Sequence, residues 1–210
     1  SLQTAASASL RFNPKKTMML AQRLYEGVEL GEEGLTGLIT YMRTDSTRIS
    51  EEARNQSIAY IEKNFGKEYV GAERKEKKSK NAQEAHECIR PTNPALDPKT
   101  VRRYLETQDK DMAALYDLIW QRFIASQMTP AVFDQTTVEL ESDNTTGSKY
   151  RFRATGSILK FRGYLQLLDD SEENGDKNTD DADRRLPSGI KENQTANIEA
   201  PSLQQSETKA

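Results

Sequence analysis

With 210 residues, 35% hydrophobic and 30% charged, the chain is long enough for one or two domains, but only with part of it left as solvated linker or tail. The apolar runs are far too short to span a bilayer, the amino terminus lacks a basic-then-apolar secretory signature, and the single Cys88 has no partner for an internal disulfide, so a cytoplasmic protein is expected. Of the 33 acids 11, and of the 30 bases 5, fall in residues 169–210; the other 22 acids and 25 bases give residues 1–168 a charge of +3, compatible with phosphate contact without being evidence for it.

Asn13-Pro14 supplies an N-cap and a favoured first helical residue, and Met18, Ala21, Leu24 and Tyr25 recur at helical spacing until Gly27. Gly27, Gly31, Gly34 and Gly37 read as turn positions. Neither GxGxxG nor GxxxxGK[ST] occurs, so there is no sequence basis for ATP use. Leu38-Ile39-Thr40-Tyr41 is a short β-prone run. Ser50 with Glu51 and Glu52 predicts another helix start, with Ala53, Ser57, Ile58, Ile61 and Phe65 on its apolar face and Gly66 as its stop. Residues 73–80, ERKEKKSK, read as a loop. Asp97-Pro98 repeats the cap-then-proline signal, and the strongest helix is expected over roughly 109–127, ended by Thr129-Pro130.

Beyond Pro130 the period changes to two. Thr136, Val138 and Leu140 share a face, SDNTTGS makes a turn, and Tyr150, Phe152 and Ala154 alternate with Lys149, Arg151 and Arg153. Leu159, Phe161, Tyr164 and Leu165 continue the β-like texture around Gly163, giving three or four strands of a partial sheet. The acidic stretch near 169–185 reads as a loop or linker. The expected organisation is α+β: a mostly helical domain over 1–128, a partial, mainly antiparallel β domain over 129–200, and a polar tail over 201–210.

The segment ITYMRTDS places a phenol two residues before a guanidinium. In an extended stretch residues i and i+2 share a face, so Tyr41 and Arg43 can address one phosphate. A free tyrosine has a pKa of about 10, leaving about one in 1,000 ionised at neutral pH, and reaching the phenolate costs on the order of 4 kcal/mol. A nearby base or cation reduces that cost, and a guanidinium suits the charge that develops on a pentacovalent phosphate. Asp45 can orient Arg43 or cap a turn. Taken alone, the same residues also fit an ordinary strand tyrosine followed by an ordinary capping string, among eight tyrosines in all.

QEAHECIRPT, residues 83–92, is the second constellation. His86 is the only histidine and titrates near neutral pH, so it can donate to a phosphate or shuttle a proton. Arg90 lies four residues on and would share its face if the stretch were helical, with Pro91 ending that helix. A packed histidine beside a solvated charged face is the plainer alternative. One His and one Cys do not make a zinc set, and HEC lacks the HExxH spacing.

GLITYMRTDSTRIS closely resembles the active-tyrosine segment of type IA DNA topoisomerases, and QEAHE-x-IRPT is similar to a second signature of that family. Met42 between Tyr and Arg favours the bacterial topoisomerase I branch over the topoisomerase III branch, where proline would be expected. Cys88 stands where alanine would be expected. Lys15 to Met19 and Ala21 to Gly27 also fit, and the likeness weakens beyond about residue 168. The resemblance implies a toroidal fold whose helical tyrosine domain is inserted into a β domain. It also implies single-strand cleavage through a 5′-phosphotyrosine without ATP, with single-stranded and negatively supercoiled DNA as substrates. By that likeness Tyr41 is the nucleophile, Arg43 stabilises the transition state, His86 bonds the phosphate or leaving group, and Thr44, Asp45, Ser46 and Arg90 support DNA binding.

The family's Mg²⁺ is held by acids of another domain. Asp180, Asp181 and Asp183 lie in an acidic run without a preceding strand and are not read as metal ligands. The chain is therefore expected to be a fragment that needs the remaining domains of its parent, and no membrane, to cleave DNA efficiently. Two other readings stand beside this one. A non-catalytic single-stranded nucleic-acid-binding module would use the same Arg and Tyr by phosphate contact and stacking, and would tolerate Tyr41→Phe. A tyrosine recombinase or type IB enzyme places its tyrosine after its Arg and His residues, opposite to the order here.

Overall fold

The longer helices of this chain begin where a polar side chain caps them, and the caps set the chain's path toward one long central helix. The computed structural model describes residues 1–31, 34–72, 86–143, 149–169, 186 and 189–195. Helix α1 (Leu2–Leu10) starts at Ser1, whose Oγ accepts from the Thr4 amide, and ends with Arg11 in the left-handed region at φ 59°. The Phe12 amide reaches back to the Ala6 carbonyl, closing the helix in the manner of a Schellman turn. The sequence reading began at Asn13 and missed this helix. LQTAASASL is rich in small residues and buries only Ala6, so it offers no apolar stripe to detect.

Helix α2 (Pro14–Glu26) has the expected cap: Asn13 Oδ1 accepts from the Lys16 amide, and Gly27 follows the last turn. Its buried face differs from the expected stripe. Thr17, Leu20, Ala21 and Leu24 are buried, whereas Met18 is half-buried and Tyr25 is exposed. Strands β1 (Val28–Glu29) and β2 (Leu35–Thr36) pair antiparallel, with Val28 opposite Thr36. Helix α3 (Glu51–Asn64) is capped by Ser50, carries Glu51 and Glu52 at its positive end, and buries Ala53, Ser57 and Ile61. Residues 73–80, expected as a loop, lie outside the described residues.

Helices α4 (Pro98–Gln108) and α5 (Lys110–Gln127) begin at Asp97 and Asp109, each of whose carboxylates accepts amide bonds from the first turn. α5 is the centre of the helical unit. It buries Met112, Ala113, Leu115, Tyr116, Ile119, Trp120, Phe123 and Ile124, and it packs against α1, α2, α3 and α4. Side chains on α3 and α5 also hold the stretch before α4: Trp120 Nε1 donates to the Pro94 carbonyl at 3.0 Å, Tyr116 Oη to the Leu96 carbonyl at 2.5 Å, and Tyr60 Oη to Asp97 Oδ2 at 3.3 Å. Trp120 and Tyr116 thus bury their rings and still satisfy their polar atoms, and half-buried Tyr60 satisfies its own.

Strands β3 (Val132–Asp143) and β4 (Lys149–Phe161) form a two-stranded sheet. Thr137 meets Thr155, Glu139 pairs with Arg153 and Glu141 with Arg151, a falling-against-rising register that makes the pair antiparallel. The expected alternation holds: the arginines share one face, and Tyr150 and Phe152 lie on the other, both exposed. Among the described residues there are two strands here rather than three or four. The chain after Phe161 is not extended either, because Tyr164 leads into helix α6 (Leu165–Asp169), which buries Leu167 against the core. Asp180, Asp181 and Asp183 lie outside the described residues.

The chain divides into two units, one of Ser1–Phe133 with Leu159–Lys177 and one of Asp134–Ile158 with Asn178–Ala210. Within the first, Gly163 makes the turn into α6 with φ 50°, and a Cβ there would lie 2.4 Å from the Thr129 carbonyl oxygen and 2.5 Å from that of Pro130. Gly163→Ala therefore combines left-handed strain with a clash against backbone, and is expected to cost at least about 2 kcal/mol. Urea unfolding of the two proteins measures the difference.

Candidate active site

Residues 37–50 and 86–92 carry the two signatures, and the fold stitches them together. The Thr40 amide donates to the Arg90 carbonyl at 2.9 Å and the Thr92 amide to the Leu38 carbonyl at 3.0 Å, with Ile39 bridged to Pro91 in antiparallel fashion. The Thr40 hydroxyl donates to the Cys88 carbonyl at 2.7 Å and accepts from the Arg90 amide at 3.0 Å. Thr92 Oγ1 donates to the Gly37 carbonyl at 2.7 Å, and the Cys88 amide donates to the Arg48 carbonyl at 2.8 Å. The β-prone run expected at 38–41 is thus extended, but its partner is the histidine segment rather than a sheet.

This pairing excludes the helix considered for 86–90. The backbone groups that an α-helix would bond within itself are spent on residues 40 and 48, and Pro91 disfavours a helical residue before it. Gln83, Glu84 and Ala85 lie outside the described residues. Arg90 does not share a helical face with His86. Its Nε and Nη2 donate to Glu87 Oε2 at 2.9 and 2.6 Å, and its Nη1 to the Pro91 carbonyl at 3.0 Å. Both side chains of that pair are well covered, 13% exposed for Arg90 and 22% for Glu87. Burial acts to raise the Glu87 pKa, but hydrogen bonds from Ser50 together with the Arg90 guanidinium outweigh it and hold the carboxyl below its ordinary value.

The tyrosine segment is anchored from the other side by α2. The Leu38 amide donates to the Leu24 carbonyl at 2.8 Å, and Gly37 runs so close to α2 that a Cβ would lie 2.8 Å from the Tyr25 carbonyl oxygen. Leu38, Ile39 and Met42 are buried, while Tyr41 is 46% exposed and Arg43 is exposed. The Tyr25 and Tyr41 rings meet edge to face with centroids 5.1 Å apart. Tyr41 and Arg43 line one cleft with Met18, Met19 and Gln22, so the phenol and the guanidinium do face a common space.

Arg43 has no acidic partner among the described residues, and no ion pair there joins it to Asp45, which is exposed. Thr44 Oγ1 accepts from the Ser46 amide and Ser46 Oγ from the Arg48 amide, two successive side-chain turns that carry the chain toward Ser50. His86 is exposed at the start of the stitched segment, and no hydrogen bond ties it to Tyr41 or Arg43. Two other phenols are held further from ionisation: burial first, then the Asp97 charge, pushes the pKa of Tyr60 and of Tyr116 upward. Among the described residues no three His, Cys, Asp or Glu side chains converge.

Met18, Met19, Gln22 and Tyr25 were not anticipated at the site. The signal was present in α2, where 18, 22 and 25 fall on one side of a helix, but apolar Met18 and Tyr25 were assigned to the core stripe. Thr40, which holds the two segments together, carries no separable signal because its partners Cys88 and Arg90 are distant in sequence.

The site is thus a segment bearing an exposed phenol and a guanidinium with no acidic partner among the described residues, held between a helix end and the histidine segment. The chain matches the DNA topoisomerase family over residues 1–210 and belongs to that family. It is 42% identical over 188 residues to DNA topoisomerase 1 of Xylella fastidiosa strain Temecula1, and equally to that of strain 9a5c, alignments that cover 89% of this chain and 22% of each relative. It is also similar to full-length topoisomerase I of Thermotoga maritima, with a TM-score of 0.65 and 40% identity over 83% of this chain and 27% of that one. The chain thus spans about a fifth of the length of the curated relatives it matches. The bacterial topoisomerase I resemblance seen in the two signatures is the family these comparisons show.

Two outcomes test the stitching. Thr40→Val keeps the shape but leaves the Arg90 amide and the Cys88 carbonyl without their partner, an expected loss of about 1–3 kcal/mol; amide exchange at Arg90 should quicken, and Thr40→Ser should restore it. Glu87 binds its proton less readily folded than unfolded, so its contribution is complete above the ordinary carboxylate pKa and is lost as pH falls through its lowered value. Glu87→Gln should flatten that part of the acid branch of the stability–pH curve, measured by urea unfolding from pH 6 downward.

Proposed function

We propose that these residues supply the nucleophile of an ATP-independent type IA DNA topoisomerase that cleaves and rejoins one DNA strand. In this reading the Tyr41 phenol oxygen attacks a backbone phosphorus. The bond from phosphorus to the 3′ oxygen breaks, the phenol proton leaves, and the freed 3′ oxygen takes up a proton to become a hydroxyl. The 5′-phosphotyrosine keeps the bond energy, so the hydroxyl can reverse the step after another strand has passed. Negatively supercoiled DNA, with its readily exposed single strands, is the expected substrate.

The observation that carries the reading is the pairing of an exposed Tyr41 with an Arg43 that no acid among the described residues neutralises, both facing one cleft. Arg43 would meet the charge developing on the phosphate, where a fixed donor is worth most. His86 would hydrogen-bond the phosphate or the leaving oxygen from the stitched segment. Thr44 and Ser46 spend a lone pair on backbone amides and keep their hydroxyl protons to donate to the strand, with Asp45 between them. Arg90, engaged by Glu87, would support the site by holding the His86 segment in place. Magnesium, in the intact enzyme, would be held by residues outside this chain.

In the full-length parent, Tyr41→Phe should abolish the covalent DNA adduct while non-covalent binding remains, and Arg43→Ala should slow cleavage about 10²-fold or more. Adduct capture with peptide mapping decides both. An adduct on another tyrosine, or normal cleavage by Tyr41→Phe, would leave only a nucleic-acid-binding module.

A further inference from the structure

The cleft beside Tyr41 has a volume of about 430 Å³, and two of its five lining residues are methionines. Consecutive Met18 and Met19 cannot both face the core of α2, whose inner face is already taken by Thr17, Leu20, Ala21 and Leu24. Met18 is half-buried, packed against the core, while Met19 is 54% exposed, an unbranched apolar side chain lying open to water. Gln22 completes that wall. Its Nε2 donates to Glu26 Oε1 at 2.5 Å, and because a carboxylate only accepts, the ion fixes the amide's orientation along the helix.

A phosphate alone leaves this wall unused. Arg43 answers the charge of a phosphate, and the thioethers offer it nothing. What a thioether does favour is the face or edge of an aromatic ring. A DNA strand presents such a ring on each side of every phosphate, and a volume of this size falls at the lower end of ordinary ligand sites, about 300–1,000 Å³. We infer that Met18 and Met19 seat one of the two nucleobases flanking the phosphate held at Tyr41 and Arg43. The seat rests on the reading of Tyr41 as the nucleophile. Thioether contact exploits the π-face that every base has, so the seat places the strand without selecting a sequence.

The test uses the full-length parent and a cleavable single-stranded oligonucleotide. Met19→Ala should raise KM by about 2- to 12-fold, the range expected for a sulfur–aromatic contact, with kcat changed by less than about twofold. The penalty should vanish on an oligonucleotide made abasic at one of the two flanking positions, a readout that a merely structural role for Met19 would not move. With 4-thiothymine placed at each flanking position in turn, and Tyr41→Phe to block cleavage, irradiation should crosslink Met18 or Met19, mapped by peptide mass. Crosslinks only elsewhere, or a Met19→Ala penalty that persists on both abasic strands while the Tyr41 adduct forms normally, would overturn the seat and leave the nucleophile in place. Absence of any adduct on Tyr41 in the unmodified enzyme would remove the nucleophile and the seat together.

Discussion

The Thr40 hydroxyl lies between two strands of chain that are otherwise far apart in sequence, donating to Cys88 and accepting from Arg90. Everything around the site depends on that junction. Closing a loop of roughly 50 residues costs about 3.5 kcal/mol in chain entropy. The main-chain and side-chain bonds joining residues 37–48 to 88–92, at about 1 kcal/mol each, exceed that cost, but fixing the backbone of each residue in the two segments takes about 1–2 kcal/mol more. Neither segment would hold its course on that balance. Burial of Leu38, Ile39, Met42 and Pro91 decides it, so the junction is a polar seam set into an apolar base.

The same junction sorts the arginines. Arg43 and Arg90 lie in the two signatures and look equivalent as phosphate ligands. Arg90 is covered, bound twice to Glu87 and once to the chain itself, while Arg43 is exposed with no acid beside it among the described residues. A guanidinium already paired in a covered site has little left to offer a phosphate, and its removal would leave a carboxylate unanswered. In the proposed reaction the first arginine would act on the ligand, and the second would hold the segment that carries His86.

How much could be read from the sequence follows from the range of each interaction. Asn13-Pro14, Ser50 with Glu51 and Glu52, and Asp97-Pro98 act within one helical turn, and all three starts were legible. The α5 stripe was legible because a long period averages over its exceptions. Helix α1 was not, since small residues that pack closely leave no hydrophobic signature. Residues 86–90 satisfy a helical spacing of charges, but the pattern is silent about Thr40, 48 residues away from Cys88, which claims the backbone instead. Likewise Tyr164 and Leu165 look strand-like until the turn at Gly163 brings the Tyr164 amide to the Thr129 carbonyl. Tyr41 and Arg43 were legible as chemistry; the methionine wall beside them was not, because an apolar residue on a helix is ordinarily core.

The placement of Tyr41 reconciles two demands that usually conflict. To serve as the nucleophile proposed for it, Tyr41 would need a fixed position through attack and displacement, with its oxygen still open to a polymer. Buried Ile39 and Met42 pin the backbone on either side, and the Tyr25 ring braces the phenol ring from its flank. What remains free is the outer part of one side chain. Order in the main chain and exposure at the oxygen therefore come from different neighbours: the core sets the first, and the absence of a covering side chain sets the second. Strict strand alternation does not hold here, because Leu38 and Ile39 are both buried and the chain bends at Met42 and Arg43. The bend turns Arg43 out beside Tyr41 and lets both serve one cleft.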